Sequence, residues 1–261
     1  MYLYPGILVW MERAIPCGIS QKGFRHQNKG IGVQKVFHLL IIPAKLELSL
    51  IKTPVRTWPM EFKDHPLWHF TVKAHQQPGV HEACVDLQKN QGIDVNFLFW
   101  CCWLAEMGAP PLDEAQLQSA MDAVGPWQRD IVRPVWRARW KLKPSYGNFP
   151  EDLTEALRQQ LITAEINAEH IEMLQLADVV KIPMEKTVST WERASHAMEN
   201  MKRYLMQHFF EENEEKGLPK SILPSLNTIL CACFPGLKKS KMLDTLKEQL
   251  KKPNGDISGY D

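Results

Sequence analysis

The chain has little of what reactive or membrane-spanning proteins display. No apolar run reaches the roughly 20 residues a bilayer span needs; Val36–Ile42 is short and ends at Pro43, and the longer run that starts at Val95 breaks after about a dozen residues. A Gly-rich phosphate loop, a Gly-x-Ser-x-Gly elbow and a His-Glu-x-x-His zinc motif are all missing. Six cysteines are present, yet they form no Cys-x-x-Cys pair and no Cys/His set with zinc spacing. Cys101-Cys102 and Cys231-x-Cys233 read as small buried hydrophobes of a reducing compartment, so a cytoplasmic location is expected. These absences lead us to expect no catalytic residue, no metal and no cofactor, and a chain that leans away from being an enzyme.

Charge is unevenly spread under a net of +1. Residues 1–59 carry eight Lys or Arg against two acids, whereas residues 60–261 carry 23 against 28. The first stretch lacks a secretory n-region and cleavage site, and it shows no sustained helical amphipathicity. Ordered patterning begins at Met60, so Met60 is expected to be the natural start, with 1–59 a non-native or disordered extension.

From residue 60 onward strand-like alternation is absent and helix punctuation is frequent. Asp64 and Pro66 suit a helix start, and Pro78-Gly79 a stop. Val80, Ala83, Cys84 and Leu87 have the i, i+3, i+4, i+7 spacing of an amphipathic helix, which Gly92 is placed to end in a left-handed conformation. Asp94 then caps a helix that is apolar on every side, the pattern of a central bundle helix. Asp113 with Gln116 forms a capping box, with Leu112 and Leu117 spaced as a hydrophobic staple. Gly125-Pro126 is expected to close that helix, and a fifth helix from Trp127 contains Pro134, which should kink it.

Past Pro150, Leu157, Leu161, Ala164, Ala168 and Ile171 form a heptad-like seam. Val188, Trp191, Ser195, Met198, Leu205 and Phe209 continue at similar spacing beyond Pro183. The expected fold is therefore all-α: a compact multi-helix bundle over 60–145 and a long antiparallel helical hairpin over 146–216. Short helices and a disordered tail fill 217–261, including a basic amphipathic helix with Leu243, Leu246 and Leu250.

Several motifs in this span carry a resemblance. They are Leu67-Trp68-x-Phe70, Pro78-Gly79-Val80, Ala83-Cys84-x-x-Leu87-Gln88, Gly92-x-Asp94-Val95-Asn96, Trp103-Leu104, Trp127 and Arg133-Pro134-x-x-Arg137-x-Arg139. From about Pro66 to Leu176 the chain resembles a proteobacterial family of small helical proteins of unknown function. The family pattern has Leu after the helix-five proline, where this chain has Val135-Trp136. The resemblance implies a helical fold, a bacterial context and a start near Met60, and it implies no activity.

Candidate site residues fall in two groups. Asp94 and Asn96 stand at the mouth of the apolar helix. One reading makes Asp94 a cap, worth about 1 kcal/mol, with Asn96 bonded to a neighbour. The other brings Gln88, Asp94 and Asn96, with Arg133 and Arg137, to a ligand-binding pocket. The second group is the Arg/Trp face of residues 129–143: Arg129, Trp136, Arg139 and Trp140 either cover apolar surface and pair with acids or bind an anionic surface. The acidic balance of 60–261 argues against nucleic acid; peripheral membrane contact stays open. His65 and His69 have a zinc-compatible spacing but no third ligand, and read as solvent-facing or capping residues.

The leading functional expectation is a non-enzymatic interaction or adaptor protein, with a protein partner or self-association through the hairpin. The alternative is a small-molecule-binding or enzymatic helical domain with a polar site around Gln88, Asp94 and Asn96. A weaker alternative is anionic-surface binding through residues 129–143.

Overall fold

Asp94 opens the helix around which the others are arranged. Its carboxylate accepts from the backbone N–H groups of Asn96 and Phe97, at 2.9 and 3.2 Å, and the helix Val95–Glu106 begins there. Eleven of its residues, Val95 through Ala105, are buried, as an apolar surface on all sides requires. Each fully buried large side chain contributes roughly 1.5–3 kcal/mol, so this element anchors the core.

The computed structural model describes residues 62–142, 146–180, 188–210 and 218–251, within one compact unit that begins at Phe62. All secondary structure among these residues is helical, so the chain is all-α as expected. The helices are α1 Pro66–His75, α2 Val80–Gln91, α3 Val95–Glu106, α4 Glu114–Trp127, α5 Arg133–Lys141, α6 Glu151–Val179, α7 Thr190–Phe210, α8 Leu223–Cys233 and α9 Lys239–Lys251. Expectations for residues 1–59 and for the tail at 253–261 lie outside the described residues.

Helices α1, α6, α7 and α8 all pack on α3, and α2 and α9 pack on α8. Among the described residues, each of the two long helices has other main partners than its fellow. Helix α7 packs mainly on α3, while α6 packs chiefly on α4 and α5 and also on α3. The reason is α3 itself, whose apolar surface offers a partner on more than one side.

The seam expected on α6 is also displaced. Leu157 is 48% exposed, and Ala164 is exposed. The buried side of α6 carries Arg158, Ile162, Glu165, Ala168, His170, Glu172, Met173 and Leu176. Three of these are charged residue types, which makes this face a polar one set into the core.

Local starts and stops match the sequence with two exceptions. Gly92 ends α2 at φ 64°, and Asp113 with Gln116 forms the full capping box of α4. His65, not Asp64, caps α1: its Nδ1 accepts from Leu67 N–H at 3.1 Å, while Asp64 pairs with His69. Gly125-Pro126 does not close α4, which runs to Trp127 and continues through a π turn, Gln128–Val132, into α5. In a regular helix the Pro134 ring would clash with the carbonyl four residues back, and the wider turn relieves that contact.

Candidate functional site

The segment Gly92-Ile93-Asp94 lies where α2 ends, α3 begins, and α7 and the π turn approach. Tyr204 of α7 accepts from Asp94 N–H at 3.0 Å, and His208 lies 3.0 Å from the Gln91 carbonyl oxygen. Arg133 donates to the Gly92 carbonyl oxygen. The carbonyls left open at the end of α2 are thus held by side chains from distant elements.

Beneath this junction is a buried polar network. Asn96, 4% exposed, donates its side-chain amide to Glu172 Oε2 at 2.7 Å. Glu172 is 1% exposed, and its carboxyl also meets Asp94 in a side-chain hydrogen bond. Burial pushes the Glu172 carboxyl well above the usual carboxylate range, and the Asp94 charge pushes it further. Two buried carboxyls in contact cannot both ionise at low cost. Burial raises the Asp94 carboxyl too, against the hydrogen bonds from Glu172, Phe97, Gln128 and Asn96 that favour its charge, so the two carboxyls share a proton.

The next turns of α6 extend the network. Arg139 forms a buried bidentate pair with Glu165, the second contact at 2.8 Å. Glu169 has its pKa pushed up to about 8 by burial and then by Glu165, against the pull of Arg139. His170, at the edge, stacks between Phe62 and Trp68 with ring centroids 4.2 and 4.1 Å apart. Burial and the neighbouring His65 and His69 lower its pKa to about 4, so it is neutral near pH 7.

Above the network opens a cleft of about 350 Å³, walled by the last turn of α2 and by the π turn and first turns of α5. Gln88, Arg133 and Arg137 line it together with Lys89, Gln128 and Trp136. Gln128 joins the two levels: its amide reaches Asp94, while its Oε1 is buried without a hydrogen-bond partner. A single π turn inside a helix is frequently found at functional sites; here it sets Gln128 and Arg133 on the cleft wall.

The structure thus divides the expected residues. Gln88, Arg133 and Arg137 share the cleft, while Asp94 and Asn96 belong to the buried network and reach it only through Gln128. Of the Arg/Trp face, Arg129 is exposed and paired with Asp130 at 2.8 Å, and Arg139 is withdrawn into its pair with Glu165. Trp136 and Trp140 pack on each other at 5.7 Å between ring centroids, with Lys89 Nζ 5.8 Å from the Trp140 ring.

Sequence reasoning missed Glu165, Glu169, Glu172, Gln128, Lys89 and Tyr204. The three Glu residues do carry a signal, because spacings of four and three put them on one face of α6. Tyr204 carries none, being 110 positions from its partner Asp94.

Among the described residues no group of His, Cys, Asp and Glu side chains is arranged to hold a metal ion, and no helix is long and apolar enough to cross a membrane. No curated protein and no solved structure matches the chain. The resemblance carried by its motifs is confirmed over their span: residues 66–176 match the family model described as "Protein of unknown function (DUF2390)".

Proposed function

We propose that the protein binds a small polar molecule in the cleft between the end of α2 and the π turn. The observation that carries this reading is the convergence of Gln88, Gln128, Arg133 and Arg137 on one cleft. The cleft volume falls within the range of small-molecule sites. Gln88, Arg133 and Arg137 supply convergent polar groups, and no side chain there is arranged as an activated nucleophile with its base. A thermal-shift screen of a metabolite library tests the reading. Compounds should raise the melting temperature of the wild type and lose that effect in Arg137→Ala and Gln128→Leu. Equal stabilisation of all three proteins, or of none, rejects it.

A second reading, interaction with a protein partner, draws on a different observation. Tyr146, Phe149, Leu153 and Leu157 are 49%, 64%, 64% and 48% exposed, and the last three recur every fourth residue. The four-residue spacing puts Leu153 and Leu157 on one side of α6, which begins two residues after Phe149. If this stripe mediates self-association, sedimentation should show an oligomer that the Leu153→Glu/Leu157→Glu variant converts to monomer. A monomeric wild type at high concentration rejects that form of it. Binding of an anionic surface through residues 129–143 draws less support, because Arg129 and Arg139 already have acidic partners.

A further inference from the structure

The charge of the cleft walls narrows the chemical class of the ligand, an inference that rests on the proposed binding in the cleft. Three of the side chains lining it are cationic, Lys89, Arg133 and Arg137, and no Asp or Glu lines it. This is unusual for a region with more acids than bases, and it does not come from lack of carboxylates nearby. Asp94 and Glu172 lie within the adjoining network, where they bond each other, Asn96 and Gln128.

The cations differ in how they are occupied. Arg133 is anchored on the Gly92 carbonyl oxygen, which fixes its guanidinium at the cleft wall. Arg137 is exposed and has no ion pair among the described residues. Arg129, two turns earlier, is neutralised by Asp130 and lies outside the cleft. A fixed guanidinium, a second guanidinium with its five donors free and a lysine ammonium form a receptor for phosphate or carboxylate.

We propose that the cleft binds a small organic anion, a phosphate or a carboxylate, with Arg137 and Lys89 holding its anionic end against Arg133. Trp136, half-buried on the same wall, packs against the carbon skeleton.

The test uses the full chain labelled with ¹⁵N in its tryptophans, with the Trp136 indole resonance as reporter and the Trp100 indole, in the core, as a control for folding. Glycerol 3-phosphate, glycerate and glycerol are the probes. The proposal expects a saturable shift of Trp136 with at least one anionic probe, in the millimolar range, and none with glycerol. Glycerol 3-phosphate alone assigns a phosphate, and glycerate alone a carboxylate. Arg137→Glu should weaken binding at least about tenfold, the loss of one charge-assisted contact, with Trp100 unmoved. If glycerol shifts Trp136 as much as the anions do and Arg137→Glu changes nothing, the cleft binds small molecules but the anion class is wrong. If no probe moves Trp136, both the class and the binding reading fall.

Discussion

Asn96 and Glu172, 76 positions apart in sequence, meet through a 2.7 Å hydrogen bond in the core. Asn96 Nδ2–H donates to one carboxyl oxygen, and the same carboxyl group bonds Asp94. The bond ties α3 to α6 beside the cap of α3. Support of the cleft floor and packing of the central helix therefore depend on the same few side chains, and substitutions there should register as losses of stability.

Removing Asn96 leaves a buried carboxyl without its donor. Asn96→Ala should destabilise the chain by about 1–3 kcal/mol in urea unfolding. Glu172→Gln should cost less, under about 1 kcal/mol, because the amide replaces a carboxyl that already shares a proton. Equal losses from the two substitutions would mean that Glu172 is ionised in the fold.

Arg139 and Glu165 form a pair with side chains 7% and 1% exposed. Breaking it from one side strands a buried charge, so Arg139→Met should cost about 3–5 kcal/mol. The double variant Arg139→Met/Glu165→Leu should recover most of that loss. A double variant as unstable as the single one would show that the Glu165 side chain has a second essential partner.

Gly92 sits at φ 64°, and a Cβ added there would lie 3.5 Å from the Arg133 guanidinium. The left-handed conformation costs a non-glycine residue roughly 1–2 kcal/mol, so Gly92→Ala should lower stability by about that amount in thermal or urea unfolding. Gly125→Ala meets no atom within 4 Å and lies in a helix, so it should be neutral or slightly stabilising.

The acids and histidines of the fold pull stability in opposite directions with pH. Glu169, raised to about 8 from 4.5, binds a proton in the fold that the unfolded chain has lost. Between those two values stability therefore falls as pH rises. His75 and His170, lowered to about 4 from 6.5, are neutral in the fold while the unfolded chain is protonated. Their contribution is present above 6.5 and is lost as pH falls toward 4. Above pH 6.5 the histidines no longer change, and the acids alone should lower the melting temperature toward pH 8. Glu169→Gln should flatten that decline. A wild-type melting temperature that rises over the same window would contradict the raised value.

Much of this fold is legible in the sequence because helix punctuation is local. Asp94, Gly92 and the Asp113–Gln116 box each act within four residues, and each does what its type and spacing imply. Misreadings arise where a distant partner decides. Leu157 looks like a seam residue and is exposed, while Glu165 and Glu172, outside that seam, are buried because Arg139 and Asn96 bond them across the core. Gly125-Pro126 reads as a stop, yet the structure keeps the helix running and places the irregular turn just after it, at Gln128. That turn creates the cleft wall, so Gln88 and Arg137 could be named from sequence but the Gln128 that completes their site could not.

The central claim is that the cleft is a ligand site. Its most direct measurement is a crystal structure of the full chain with the compound that gives the largest thermal shift dependent on Arg137. The account predicts that compound in the cleft, with an anionic group on Arg137. A compound seated elsewhere, with the cleft unchanged, would contradict it.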